Sequence, residues 1–584
     1  MPQCSLLASS PFRAWPCRAG AGVVVALLLG FAALIHAGEG PSPTAGPPPP
    51  EAYADFATGN PIDAIVLAKL KSQGFAPSPR CTDAVFLRRA FIDAIATLPT
   101  ADEARAFLKD TRPDKRERLI DVLLERPEFA EARGLKWGDL LRIKAEFPSN
   151  LWPEAAQAYD RWVRDRLRQN MPYDQFVREL LTSSGSNFRD PPVNFYRAFQ
   201  DRSPRQIAEN VAVLFMGRRF PTAASAGAGS AQAAGDWSED RILGLAAFFT
   251  RIGYKTTGEW KEEIVFTTTE SKPESKLLHP VNGKPIAPAF PDGTPVHLGP
   301  DDDPRQVFAA WLTSAKNPFF AKAMANRTWY WLLGRGIVHE PDDLRPSNPP
   351  WSAELLDRLG QELVAVRFDV RRLFRLIMTS STYQAGSVPT RWNAGDTTGF
   401  SHYRVRRHDA EVLIDALTQV TGIPDNYVSE IPEPFSHLIA QRAITLPDGS
   451  IVSPFLELFG RPGRNTSFES ERTNAFGQLQ AQYLLNSSHI QGKFERSPML
   501  KALAAGPTPA KKTKDPAERA KGVTTLTPAG RIDELYLRIL SRPPTEAESA
   551  TGVTYLKDNK RKPAESLTDL AWALVNSKEF LLRH

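Results

Sequence analysis

Acids and arginines crowd one short stretch, Phe459 to Arg472 (FGRPGRNTSFESER), where Glu469 and Glu471 stand among Arg461, Arg464 and Arg472. Two carboxyls with guanidiniums beside them can serve as acid and base, or bind a carboxylate or a metal. The backbone there reads as irregular, and loops carry function more often than regular elements. The same residues also suit an Arg–Glu network that pins a long loop to helices. Spacing within one loop leaves both readings open, because it does not show that the carboxyls converge.

A second segment is Asn317 to Arg335 (NPFFAKAMANRTWYWLLGR). At helical spacing Phe319, Ala323, Asn326 and Tyr330 fall near one stripe. Asn326, Arg327 and Trp329 form a polar pair in an aromatic wall, able to hold a sugar-like or planar ligand. They equally suit a buried aromatic helix whose Asn and Arg make structural hydrogen bonds. The third segment is Tyr403 to Asp415 (YRVRRHDAEVLID), with Arg404, Arg406 and Arg407 ahead of a helix that starts near His408-Asp409. It reads as a solvated helix start with Asp409 favoured by the dipole, or as a docking patch for an acidic partner.

Other chemistry has no motif. The sequence holds no G-x-x-x-x-G-K-[ST], no H-E-x-x-H, no EF-hand loop, no G-x-S-x-G and no C-x-x-C-H. The nine histidines are scattered, so the reading contains no metal site and no cofactor. A formal charge of +6 over 584 residues, with no basic run, is not a nucleic-acid signature.

The elements that must position these segments read as mostly helical. Residues 1–37 resemble a signal peptide, with Arg13 and Arg18 before the apolar run Ala21–Ala37 and cleavage near Ala37. The alternative is an uncleaved anchor, for which the run is short. Without it the formal charge falls from +6 to +4, and Cys81 is left as the lone thiol. Residues 38–58 are a Pro-rich linker. An N-terminal helical domain spans 59–253, an irregular or partly β connector 254–303, and a C-terminal helical domain 304–584. The last contains a polar linker at 505–528 and ends in a helical hairpin. Strands are expected at Ala443–Leu446 and Ile451–Val452. Leu119, Ile120, Leu123 and Leu124 share one helix face, as do Leu355, Leu356, Leu359 and Leu363, and then Leu373, Phe374 and Ile377. Thr100 with Glu103, and Thr545 with Glu548, have capping-box spacing. LIDVLLERPEF (119–129), LFRLIMTSSTY (373–383) and LAWALVNSKEF (570–580) echo one another, as common helix ends or as a repeated hairpin.

The chain resembles the planctomycete-type secreted proteins that pair two domains of unknown function, 1549 and 1553. The first resemblance runs over IDAIVLAKLKSQGFAPSP, FIDAIATLPTADEARAFL, LIDVLLERPEF, KWGDLLRI and MPYDQFVRELL. The second runs over PRQVFAAWLTSAKNPFFAKAMANRTWYWLLGRGIV, YRVRRHDAEVLIDAL, FGRPGRNTSFESER and LYLRILSRPPTEAE. It implies export and company with cytochrome-c-like modules, but no settled activity. Many relatives carry a C-x-x-C-H after a stretch resembling Val211–Arg219. Here Phe220 to Phe249 has neither cysteine nor histidine. Some carry a C-x-C-E-R where this chain has Ser470-Glu471-Arg472, preceded by Ser467 and Phe468. The resemblance therefore implies a branch without thioether haem.

The expectation is an exported, periplasmic or secreted protein of mainly α fold, a non-redox binding or assembly component. Its partner would be another exported protein or a polysaccharide. A hydrolase acting on a glycan through Glu469 and Glu471, and a partner of a cytochrome-c-type electron-transfer system, stand as alternatives. The sequence alone does not establish a reaction.

Overall fold

In a computed structural model the described residues are 48–219, 239–268, 277–299, 301–429, 431, 437–505, 526–558 and 561–584. The signal segment, residues 38–47 of the Pro-rich linker, residues 220–238 and most of the 505–528 linker lie outside them. The chain is mainly α-helical, with few and short strands.

Helices form where the apolar period requires them and stop where capping groups do. Thr100 and Glu103 exchange both bonds of a capping box, as do Thr545 and Glu548. The three echoing segments share one local geometry. In each, a helix ends and an extended residue (Arg126, Ser380 or Ser577) stands immediately before a new helix, with Thr379 intervening ahead of Ser380 and Asn576 ahead of Ser577. Ser380 and Ser577 accept the backbone N–H of Tyr383 and Phe580, while Pro127 opens the third restart. Ordinary N-capping chemistry accounts for the echo. It buries Phe129, Tyr383 and Phe580.

The connector is β-containing. Ile252–Thr256 and Glu263–Thr267 pair antiparallel, and Gly185–Ser186 adds a third strand beyond Glu263–Thr267. The strand expected at Ala443–Leu446 is instead a short 3-10 helix, Ala443–Thr445. Asp415 accepts the N–H groups of Ala443 and Ile444, which fixes that turn. Ile451–Val452 is not a strand either; the paired strands nearby are Asn426–Val428 and His437–Ile439. The helix expected from Gly477 to about Ala504 is broken into three, Gln478–Asn486, Ser488–Arg496 and Pro498–Ala505, at Ser487 and Ser497. The closing hairpin holds Pro528–Leu540, Glu546–Lys557, Pro563–Val575 and a last turn, Lys578–Leu581.

One apolar cluster runs through both helical regions, from Phe56 to Val265 and from Phe290 to Tyr403, with Ile431 and Leu537 added from later in the chain. Among the described residues no helix is long and apolar enough to cross a membrane.

Candidate functional site

The three chemistry-bearing segments meet. They wall a cavity of about 160 Å³, together with the Asp83–Ile95 and Pro127–Leu140 helices and the chain's end. Five lining side chains are cationic, Arg133, Lys136, Arg406, Arg472 and Arg583, and three carry carboxyls, Asp93, Asp409 and Glu469. Tyr330 and Trp331 supply the aromatic wall.

Local structure explains how they arrive there. Arg406–Arg407 pairs antiparallel with Leu582–Arg583, placing Arg406 directly opposite Arg583. Like charges at such a position repel, and Asp93 answers both. Its Oδ1 takes Arg583 Nη1 at 3.1 Å and faces Arg406 Nη2 at 3.4 Å, while Oδ2 accepts the hydroxyls of Tyr383 and Tyr403 at 2.9 Å each. The Phe320–Leu333 helix ends on Gly334 at φ +77°, and a Cβ there would stand 2.6 Å from Arg406 Nη1. Glycine thus serves both the left-handed cap and the passage of that guanidinium.

Asp409 precedes the Ala410–Thr421 helix but does not cap it with its side chain. Its carboxylate instead takes Arg583 Nη2 and Lys136 Nζ at 3.0 Å and Asn474 Nδ2 at 2.9 Å. Burial pushes its pKa up, yet Lys136, Arg583 and Arg472 outweigh burial and hold it well below the usual carboxylate value. This segment is neither a solvated helix start nor an exposed patch. Asp409 and Arg407 are both buried, and Arg407 donates to the carbonyls of His408, Phe459 and Thr473.

Glu469 is the expected acid that reaches the cavity. Its Oε1 accepts Trp331 Nε1 at 2.9 Å and lies 3.3 Å from Arg327 Nε. Its Oε2 has no hydrogen-bond partner among the described residues. Burial pushes it up to about 7, with Arg327 and Lys136 offsetting only part of that cost.

Glu471 does not join it. Its carboxylate closes its own loop by accepting the N–H groups of Asn465 and Thr466 at 2.9 Å and the Thr466 hydroxyl at 2.7 Å. The two glutamates therefore do not form a facing pair, because the loop needs one of them to satisfy its backbone.

The arginines divide similarly. Arg472 touches the cavity and clamps two carboxylates, Asp139 at 2.7 Å and Glu411 at 2.6 Å. Arg464, fully buried, donates to Asp139 at 3.1 Å and to the Ile143 carbonyl at 2.8 Å. Its guanidinium passes over Gly138, where a Cβ would meet Arg464 Nη2 at 3.0 Å. Arg461 donates to the carbonyls of Ile451 and Asp448. Both pin the loop. Asn326 is structural as well, binding the Val338 and Pro341 carbonyls and the Val338 N–H at 3.0 Å each. Arg327 bridges the Leu214 carbonyl and Glu469. Trp329 is core, edge-on to Phe400 at 5.1 Å. Trp331, two residues on, is the tryptophan that lines the cavity.

Sequence reasoning missed Asp93, Arg133, Lys136 and Arg583. The available signal was a charge set inside an apolar helical period, as in FIDAI and KWGDLL. Such a residue faces the core and needs a buried partner. Arg133 is the exception to pairing. It is 6% exposed, donates from Nη2 to the Asp93 carbonyl at 2.9 Å, and has no carboxylate at ion-pair distance among the described residues. Its plane lies against Phe374, Trp331 and Phe129, with centroids 4.8, 5.5 and 5.6 Å away. Rings satisfy the faces of a guanidinium but not its edge donors, and Nε has no partner. Burial pulls its pKa down to about 10.

Among the described residues no cluster of three or more His, Cys, Asp or Glu is placed to hold a metal ion. The arrangement is suited to binding a compact anion and to moving one proton at Glu469.

The sequence model PSCyt2, Protein of unknown function (DUF1549), matches residues 61–231, and PSD1, Protein of unknown function (DUF1553), matches residues 304–556. No curated protein and no solved structure matches the chain. Residues from both matched segments build the cavity, with Arg133 and Lys136 from the first and Trp331, Asp409 and Glu469 from the second. With both models matched in that order, the chain belongs to the family of proteins that carry a DUF1549 domain followed by a DUF1553 domain.

Proposed function

We propose that this protein is an exported, non-redox binding component that holds a compact oxyanion, a sulfate or carboxylate group of its ligand, in the Arg133 cavity. The observation that carries the reading is Arg133 itself. A buried guanidinium is costly when no carboxylate stands at ion-pair distance, as holds for Arg133 among the described residues, and here it stands at a cavity wall with four further cations and three carboxyls. Two of those carboxyls, Asp93 and Asp409, are already committed to arginine, lysine, tyrosine and asparagine donors. An oxyanion on the Arg133 edge supplies the missing charge and acceptors.

Hydrolysis of a glycan has one observation in its favour, the partnerless oxygen of Glu469. It needs a second carboxylate free to act as base or nucleophile, and Asp93 and Asp409 are both held by cations. The reading as partner of a cytochrome-c-type system rests on the resemblance alone.

Titration calorimetry tests the binding reading. The mature chain from residue 38 is titrated with sodium sulfate and sodium acetate, with chloride at matched ionic strength as the blank. Saturable binding of one anion per chain, weakened at least tenfold in Arg133→Gln, is expected. Heats indistinguishable from chloride would sink the reading.

A further inference from the structure

Glu469 and Arg133 line one cavity. Among the described residues Arg133 Nε has no hydrogen-bond partner, and the bonds of Glu469 fall on Oε1, leaving Oε2 without one. We propose, building on the oxyanion reading above, that the cavity takes up its anion together with one proton, which resides on Glu469 Oε2.

The argument is electrostatic and geometric. An ionised Glu469 would set a second negative charge beside the anion inside one buried cavity, where water screens little. A protonated Glu469 removes that charge and turns Oε2 into a hydrogen-bond donor. The Oε1 side is fixed by Trp331 and Arg327, so the proton has one vacant oxygen to occupy.

The groups that face Glu469 come from every neighbouring element. The Phe320–Leu333 helix brings Arg327, Tyr330 and Trp331, and the Pro127–Leu140 helix brings Arg133 and Lys136. Asp342, itself paired with Arg219 at 3.1 Å, adds a like charge, and Asp409 and Arg472 complete the wall. Without the anion the balance leaves Glu469 poised at about 7. A second negative charge in the cavity raises that value further. Anion and proton then favour one another by linkage.

The experiment reads both ligands. Sulfate and acetate stay fully ionised from pH 6 to pH 8, so the protein alone titrates. Affinity for each should fall about tenfold across that interval, as required when a group near 7 in the free protein stays protonated in the complex. Calorimetry in two buffers of different ionisation enthalpy should give close to one proton taken up per anion at pH 8. Glu469→Gln should bind with affinity independent of pH and take up no proton. Asp415→Asn, which removes another buried acid pushed up to about 7, should keep the wild-type pH dependence. Wild-type proton uptake needs no variant, so a Glu469→Gln chain that failed to fold would leave the measurement decisive. Binding of equal affinity at both pH values with no proton uptake would overturn this coupling and leave the binding reading standing. Proton uptake that survives in Glu469→Gln, or vanishes in Asp415→Asn, would place the proton elsewhere and overturn it too. No binding at either pH would remove the binding reading itself.

Discussion

Glu469→Gln should change how the stability of the ligand-free protein depends on pH. Burial holds Glu469 at about 7 against an ordinary 4.5. Because the folded-state value is the higher one, the folded chain binds more protons than the unfolded chain between those two pH values. Stability from this group is therefore full below about 4.5, falls as pH rises towards 7, and is level above. The whole displacement corresponds to roughly 3 kcal/mol at about 1.4 kcal/mol per pH unit. Integrated between pH 5 and pH 8, the loss is about 2–3 kcal/mol. Glutamine keeps a carbonyl oxygen to accept Trp331 Nε1 but cannot titrate. Urea denaturation of both proteins at pH 5, 6, 7 and 8, followed by tryptophan fluorescence and far-ultraviolet dichroism, yields the difference in stability at each pH. Subtraction removes the titration of all other groups. Relative to the variant, wild type should lose about 2–3 kcal/mol across the series, mostly below pH 7. Parallel curves would refute the argument, since they would mean that burial does not penalise the Glu469 carboxylate.

Arg472→Met should lower stability by about 3–5 kcal/mol, because it leaves Glu411 with only Arg461 at 3.9 Å and Asp139 with Arg464 and Lys136 to answer it in a buried setting. A loss under about 1 kcal/mol in urea denaturation would show that the clamp is solvated instead. Thr100→Ala should cost about 1 kcal/mol through the lost side-chain cap of the Ala101–Lys109 helix, read as a lower urea midpoint at unchanged slope.

Much of this molecule was legible in its residues because much of it is local. Period placed the helices, threonine and glutamate three apart announced two capping boxes, and long shared segments identified both domains. Proline- and glycine-rich composition marked the β-containing connector. These features depend on neighbours within about four residues along the chain, which the sequence displays directly. The Ala443–Leu446 strand failed for the converse reason: Asp415, 28 residues away, takes the N–H groups that a strand would have offered to a partner.

The site is divided the same way. That acids and arginines were concentrated in 459–472 was plain, but not which of them turned inward. Glu471 and Glu469 are two residues apart on one short 3-10 turn. One satisfies the loop's own amides, while the other is carried into a cavity against Trp331. Arg583, next to the end of the chain, reaches Asp93 only because a two-residue ladder sets it opposite Arg406. Such pairings join positions hundreds of residues apart, and nothing in either local sequence specifies the partner. Composition and period fix which segments must be buried. Only the packed tertiary structure decides which buried charges find each other, and that among the described residues Arg133 has no carboxylate at ion-pair distance.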